Sequence, residues 1–60
     1  MFEVWHEDYE SEVVEREIVA VFDTLEEAVE EVDDRWFIGW DPAEETYVVR
    51  FDGALVYCVD

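Results

Sequence analysis

The chain contains no lysine, asparagine or glutamine, and its only basic side chains, apart from a single histidine, are three arginines. Against these stand nineteen aspartate and glutamate residues, so the formal net charge of the 60 residues is −16. A chain this negative is repelled by anionic lipid headgroups and by the phosphate backbone of nucleic acids. We therefore expect no direct contact with DNA, RNA or a membrane.

Cysteine and histidine are equally scarce, with one of each, Cys58 and His6. A single cysteine excludes an internal disulfide, and this pair cannot supply a zinc site. The sequence also lacks the aspartate-rich loop of calcium-binding hands, so no specific metal site and no cofactor is expected. Since no basic leader and no long apolar run is present, we expect a cytoplasmic location.

What the chain has in abundance is apolar side chains. Hydrophobic residues make up 52% of it, including three Trp, three Tyr and four Phe. Disordered acidic segments are poor in such residues, because they cannot offset the entropy lost on ordering. The sequence therefore predicts a single folded domain over residues 1–60, near the lower size limit for independent folding.

A period of two predicts strands over residues 2–8, 13–22, 46–51 and 54–59. The dipeptide Asp52-Gly53 is typical of a type I′ hairpin turn. Regular alternation from that turn pairs Phe51 with Ala54, Val49 with Val56, and Tyr47 with Cys58. Regular alternation along the second strand likewise places five residues on one face: Val14, Arg16, Ile18, Ala20 and Phe22. The apolar run of residues 36–40 fits either a short strand or a packed loop.

Between the second and third strands the period changes to 3.6 residues. Thr24 and Glu27 form a capping-box pattern, which marks the start of a helix. One side of that helix is apolar and consists of Leu25, Ala28, Val29, Val32 and Trp36. The predicted fold class is α+β, a four-stranded antiparallel sheet with one helix on one face, in the order β-β-α-β-β.

The acidic residues form two clusters. One covers the outer side of the helix and consists of Glu26, Glu27, Glu30, Glu31, Asp33 and Asp34. The other surrounds the first hairpin and includes Glu7, Asp8, Glu10 and Glu12, followed by Glu15 and Glu17. Like charges four residues apart, and negative charge near a helix C-terminus, are unfavourable, so helix stability does not explain the first cluster. Carboxylates four residues apart lie about 6 Å apart along the axis, a spacing comparable with that of nucleic-acid phosphates.

In size, charge and aromatic content, the whole chain resembles the small acidic phage-encoded inhibitors that act as nucleic-acid mimics against restriction, CRISPR or repair proteins. The resemblance implies a non-enzymatic inhibitor whose acidic face, formed by both clusters, occludes a basic nucleic-acid-binding protein. The alternative is a halophile's small structural or regulatory protein, whose acidity is an adaptation to molar salt. The aromatic content favours the inhibitor, because interfaces are enriched in Trp and Tyr anchors.

The sheet face away from the helix is expected to be an assembly face. Its predicted residues are Trp5, Val48, Leu55, Tyr57 and Val59. An uncovered apolar face of this kind usually marks a partner surface, so we expect homodimerisation through the sheet or docking on a host protein. The alternative is that residues 36–40 fold across this face and cover it.

No enzymatic activity is expected. Adjacent strand residues point to opposite faces, so among the acids beside His6 only Asp8 shares its face. An edge or strand histidine is therefore favoured over an acid–base role for His6. Cys58, in the last strand, is expected to be a small buried hydrophobic side chain rather than a nucleophile.

Overall fold

The computed structural model describes residues 1–36, 41 and 44–59. Within them the chain forms strands β1 (Phe2–Asp8) and β2 (Glu15–Phe22), helix α1 (Leu25–Arg35), and strands β3 (Glu45–Phe51) and β4 (Ala54–Cys58), in that order. The strands form one antiparallel sheet with the spatial order β2-β1-β3-β4. The predicted α+β class, with a four-stranded antiparallel sheet and a helix, is confirmed. Residues 36–40 were expected to form either a short strand or a packed loop. Of these, all but Trp36 lie outside the described residues.

Helix α1 begins where its sequence predicts, and it ends at Arg35, so that Trp36 of the predicted apolar side lies just beyond it. Thr24 has an extended backbone, and its side-chain oxygen accepts a hydrogen bond from the backbone N–H of Glu27 at 3.3 Å. This bond satisfies one of the amide groups left unpaired at a helix start. At the other end the N–H of Trp36 donates to the carbonyl of Val32 at 2.8 Å, and the backbone becomes extended again.

The hydrophobic core lies between α1 and one face of the sheet, which we call the helix face. Four core side chains are completely buried, Val4, Ala28, Val32 and Val49, and Tyr47 is nearly so. Around them pack the partly buried Phe2, Val19, Ala20, Phe22, Trp36, Tyr57 and Val59. Burial of each valine contributes about 1.5–3 kcal/mol, so this small cluster supplies much of the fold's stability.

A bulge in β2 changes which of its side chains face the core. Ala20 pairs with Val4 and Ile18 pairs with Trp5, so Val19 is an additional residue between two consecutive positions of β1. Such an insertion reverses the facing of every residue on one side of it. Ala20 therefore lies on the helix face, whereas Ile18 and Arg16 lie on the opposite face, which we call the second face. The predicted single face shared by Arg16 and Ala20 was wrong.

A second bulge occurs in β4. The hairpin turn is as predicted, with positive φ at Asp52 (51°) and Gly53 (81°) and with Phe51 opposite Ala54. Beyond it, however, Leu55 pairs with Arg50, Tyr57 with Val49, and Cys58 with Val48, which leaves Val56 as the additional residue. The predicted pairs Val49–Val56 and Tyr47–Cys58 were therefore wrong. The bulge turns Tyr57 towards the core and Cys58 to the second face.

No helix in the described part of the chain has the length and apolar character that a membrane crossing needs.

Candidate functional site

Glu7, on the second face, binds two of the three arginines. Its side chain is 4% exposed, and its Oε2 accepts from the Nε of Arg16 at 2.7 Å and from Nη2 of Arg50 at 2.9 Å. The hydroxyl of Tyr9 donates to the other carboxylate oxygen, Oε1. The structure thereby corrects the expected place of Glu7, because a carboxylate enclosed by three donors is not available to a partner.

The hydrogen bonds at Glu7 outweigh the effect of its burial. Burial raises the pKa of Glu7, as removal from water disfavours a charged carboxylate. The hydrogen bonds from Tyr9, Arg50 and Arg16 and the charge of Arg50 act the other way, and the pKa of Glu7 lies below its ordinary value. The hydrogen bond between Tyr9 and Glu7 also raises the pKa of the Tyr9 hydroxyl. Glu7 is therefore a charged structural group.

Arg50 also connects Glu7 to the aromatic centre of the second face. Its guanidinium carbon lies 5.7 Å from the centre of the Trp5 ring, within the range of a cation–π contact. The indole N–H of Trp5 in turn donates to Oε1 of Glu3 at 3.3 Å. The strand residues of the second face include two acids, Glu3 and Glu7, and two arginines, Arg16 and Arg50, so their formal charges cancel.

The helix face carries a row of three carboxylates beyond the core. The register places Asp8 of β1 directly opposite Glu15 of β2 and Glu45 of β3. In the adjacent row, Glu17 of β2 lies opposite His6 of β1. Like charges directly opposite on neighbouring strands destabilise a sheet, so this carboxylate row opposes the fold that contains it.

His6 contacts one member of that row. Its Nε2 lies 2.6 Å from Oε1 of Glu45, and its ring centre lies 5.1 Å from that of Tyr47. Both contacts fix the imidazole at the edge of the core. His6 is therefore a strand residue whose ring is held in place by its neighbours. The described residues contain no group of three Asp, Glu, His or Cys side chains arranged to hold a metal ion.

The outer side of α1 continues the acidic surface. Five of its six acidic residues are exposed: Glu26, Glu27, Glu30, Asp33 and Asp34. The sixth, Glu31, is half-buried and pairs with Arg35. The hydrogen bonds of Arg35 to Glu31 and to Tyr47 raise the pKa of its guanidinium. Because Tyr47 lies beside His6, the last turn of α1 adjoins the end of the sheet that carries the carboxylate row.

We call the acidic residues of α1, together with the carboxylate row and Glu17, the acidic side. Of the predicted hairpin cluster, Asp8, Glu15 and Glu17 belong to it. Glu10 and Glu12 are exposed in the loop between β1 and β2, where the N–H of Glu10 donates to Oδ1 of Asp8 at 2.9 Å. Glu45 was not predicted to belong to either acidic cluster. It lies beside Asp8 only because β1 pairs with β3, and β3 starts one residue earlier than predicted.

The predicted assembly face is divided by the β4 bulge. Trp5, Val48 and Leu55 lie on the second face, and Leu55 is 56% exposed, but Val48 is buried, at 3% exposed, and is therefore not available to a partner as expected. Tyr57 and Val59 instead pack against the core. Because Arg50 and Glu7 also occupy the second face, it is more polar than expected.

Cys58 is exposed rather than buried as expected, since it lies on an edge strand and on the second face. Its partner in the register is Val48 of β3. No family model, curated protein or solved structure matches this chain.

Proposed function

We propose that this protein is a non-enzymatic inhibitor that presents its acidic side to a basic nucleic-acid-binding protein and thereby blocks access of nucleic acid. Restriction enzymes and CRISPR effectors belong to the class of targets. The protein acts in the cytoplasm of the cell that produces it or of the cell that is infected. One observation carries the proposal, and it concerns where the arginines lie.

Two arginines of the three bind Glu7 on the second face, and their charges cancel there against Glu7 and Glu3. Apart from those four residues, the sequence contains seventeen acidic residues and one arginine, Arg35. The guanidinium groups of Arg16 and Arg50 thus bind Glu7 and not the acidic side, where Arg35 pairs with Glu31, although Arg16 also lines a cavity with Asp8, Glu15 and Glu17. A surface needed only for solubility gives no reason for this separation, because solubility depends on net charge and not on its arrangement.

The mechanism is steric and electrostatic occlusion. The exposed carboxylates of α1 are held on a capped helix whose apolar side is fixed in the core, so they are positioned before the partner arrives. A field of one sign attracts a basic groove from a distance and accelerates association, and salt weakens this effect. Occupation of the groove then excludes the phosphate backbone that the target normally binds.

The alternative function is that of a salt-adapted structural or regulatory protein acting through the second face. The carboxylate row favours it, because Glu15, Asp8 and Glu45 repel one another and concentrated cations screen that repulsion. On this account the acidic side is needed for folding in salt and contacts no partner.

Two charge-reversed variants test the proposal with the same change in net charge. Glu30→Lys/Asp34→Lys alters the exposed outer side of α1, and Glu10→Lys/Glu12→Lys alters the exposed loop between β1 and β2. The wild-type chain is immobilised, and basic proteins that it retains from a bacterial lysate at low salt are identified. Each is then tested for loss of DNA or RNA binding when free inhibitor is added.

We expect the wild type and the loop variant to displace nucleic acid from the same target, and the helix variant to be weaker by about tenfold or more. Circular dichroism confirms that both variants are folded. The proposal is contradicted if no retained protein loses its nucleic acid. It is equally contradicted if the helix variant inhibits as well as the wild type.

A further inference from the structure

The two edges of the sheet differ in a way that the proposed function does not use. Edge strands expose a row of N–H and C=O groups, and natural proteins protect them with charged residues, prolines or bulges. β2, one edge, begins with three charged residues in succession, Glu15, Arg16 and Glu17. β4, the other edge, has the sequence Ala-Leu-Val-Tyr-Cys and no charged residue.

β4 is also apolar where it is accessible. Leu55 is 56% exposed and Val56 is 43% exposed, and Ala54 and Cys58 are exposed as well. In a chain of which 37% of the residues are charged, an uncharged and exposed edge is the place where another strand meets least repulsion. The bulge at Val56 is the single protective feature that β4 has in the described part of the chain.

The position of the helix decides which occupant fits this edge. α1 packs over β1, β2 and β3, so its acidic outer side lies away from β4. If a second copy adds at β4, the two helices lie on opposite sides of the junction, about two strand spacings from it. With about 4.8 Å between strands, their axes are roughly 20 Å apart across the junction, more than twice the Debye length of about 8 Å at physiological salt.

We propose that β4 is a self-association edge, at which a second copy of this chain adds in antiparallel orientation to form a continuous eight-stranded sheet. Antiparallel pairing of β4 with itself is compatible with a two-fold axis, the commonest symmetry of dimers. It places only uncharged residues opposite one another and leaves both acidic sides facing outward. A junction of one short strand pair buries less than the roughly 1,200 Å² typical of a stable interface, so the dimer forms in a concentration-dependent way.

The salt dependence of this dimer is opposite to that of the proposed inhibitor–target complex. Two copies of charge −16 repel each other, so added salt strengthens the dimer, whereas it weakens binding to a basic protein. The two proposals can therefore fail independently. Sedimentation velocity on the full chain, over a concentration series in about 0.1 M and about 1 M NaCl, measures the association directly.

A matched pair of substitutions locates the contact. Val56→Lys alters β4, and Val21→Lys alters β2 at a residue of nearly equal exposure, 43% against 45%. Both make the same change in charge, so a general effect of added lysine appears in both. We expect a dimer that tightens with salt, a loss of affinity of about tenfold or more for Val56→Lys, and little change for Val21→Lys.

If Val56→Lys does not fold, hydrogen exchange on the wild type still shows which edge strand pairs in the dimer. Amides of β4 should gain protection as the concentration rises, and those of β2 should not. The inference is overturned by a monomer at every concentration in both salts, which would leave the edge to a strand from another protein. It is also overturned if Val21→Lys weakens the dimer as much as Val56→Lys, or if β2 gains the protection.

Discussion

Glu7 joins three parts of the chain through one carboxylate. Its donors come from β2 (Arg16), from β3 (Arg50) and from the start of the loop after β1 (Tyr9). A buried carboxylate is unfavourable unless it is paired and hydrogen-bonded, and here both conditions are met. Removing the charge also leaves two guanidinium groups without their counterion.

Substitution of Glu7 should therefore be more damaging than that of any exposed acid. We expect Glu7→Gln to lower the free energy of unfolding by about 2–3 kcal/mol, because the guanidinium groups of Arg16 and Arg50 lose the buried negative charge that they pair with. Glu17→Gln, an exposed residue of β2, is the matched control and should change it by less than about 0.5 kcal/mol. Urea unfolding monitored by tryptophan fluorescence measures both, and equal effects would contradict the structural role of Glu7.

The lowered pKa of Glu7 gives this contribution a definite pH dependence. Because the folded-state pKa lies below the ordinary value of 4.5, the unfolded chain binds the proton more readily. The contribution is thus present above about pH 4.5 and is lost as the pH falls through the folded-state pKa. The difference in unfolding free energy between wild type and Glu7→Gln should shrink from pH 7 to about pH 3. A difference that stays constant or widens would show that another group controls it.

At the scale of elements, the carboxylate row across β2, β1 and β3 is the clearest case of unfavourable local interaction. Asp8 is its middle member, opposite both Glu15 and Glu45, and its Oδ1 accepts the N–H of Glu10. An asparagine keeps that acceptor but removes the charge. The substitution Asp8→Asn therefore isolates the repulsion within the row.

We expect Asp8→Asn to stabilise the fold by about 0.5–1 kcal/mol at low salt, and the gain to disappear near 1 M NaCl, where the repulsion is screened. Glu12→Gln removes one charge from the exposed loop and is the control, with a smaller gain expected. Chemical denaturation at the two salt concentrations measures both variants. No gain for Asp8→Asn at low salt would mean that the row is not under repulsion.

The elements themselves follow from the sequence, but their registers do not. Alternation over residues 2–8 and the 3.6-residue period after Thr24 were sufficient to locate β1 and α1. The bulges at Val19 and Val56 leave no mark in a pattern of alternating residues, since valine suits either facing. Each bulge reverses the facing of the residues beyond it, and for this reason the pairing of Arg16 with Glu7 and the inward place of Tyr57 were not predicted.

For the molecule as a whole, the β2 bulge has an electrostatic consequence. It turns Arg16 to the second face, where it joins Arg50 at Glu7, and so removes a positive charge from the acidic side. Composition predicted that the surface is acidic, and the helix pattern predicted six of its residues. The separation of charge between the two faces depends on strand register, and it was visible only in the three-dimensional structure.

On the proposed function, the acidic side is a binding surface and not an adaptation to salt. Circular dichroism of the wild type in about 20 mM KCl, extended by titration to about 3 M, tests it most directly, because screening rises strongly over that range. We predict a cooperatively folded protein already at about 20 mM KCl, with the repulsion tolerated and the Glu7 pairs intact. A chain that folds only above about 1 M KCl would contradict the account and establish salt adaptation instead.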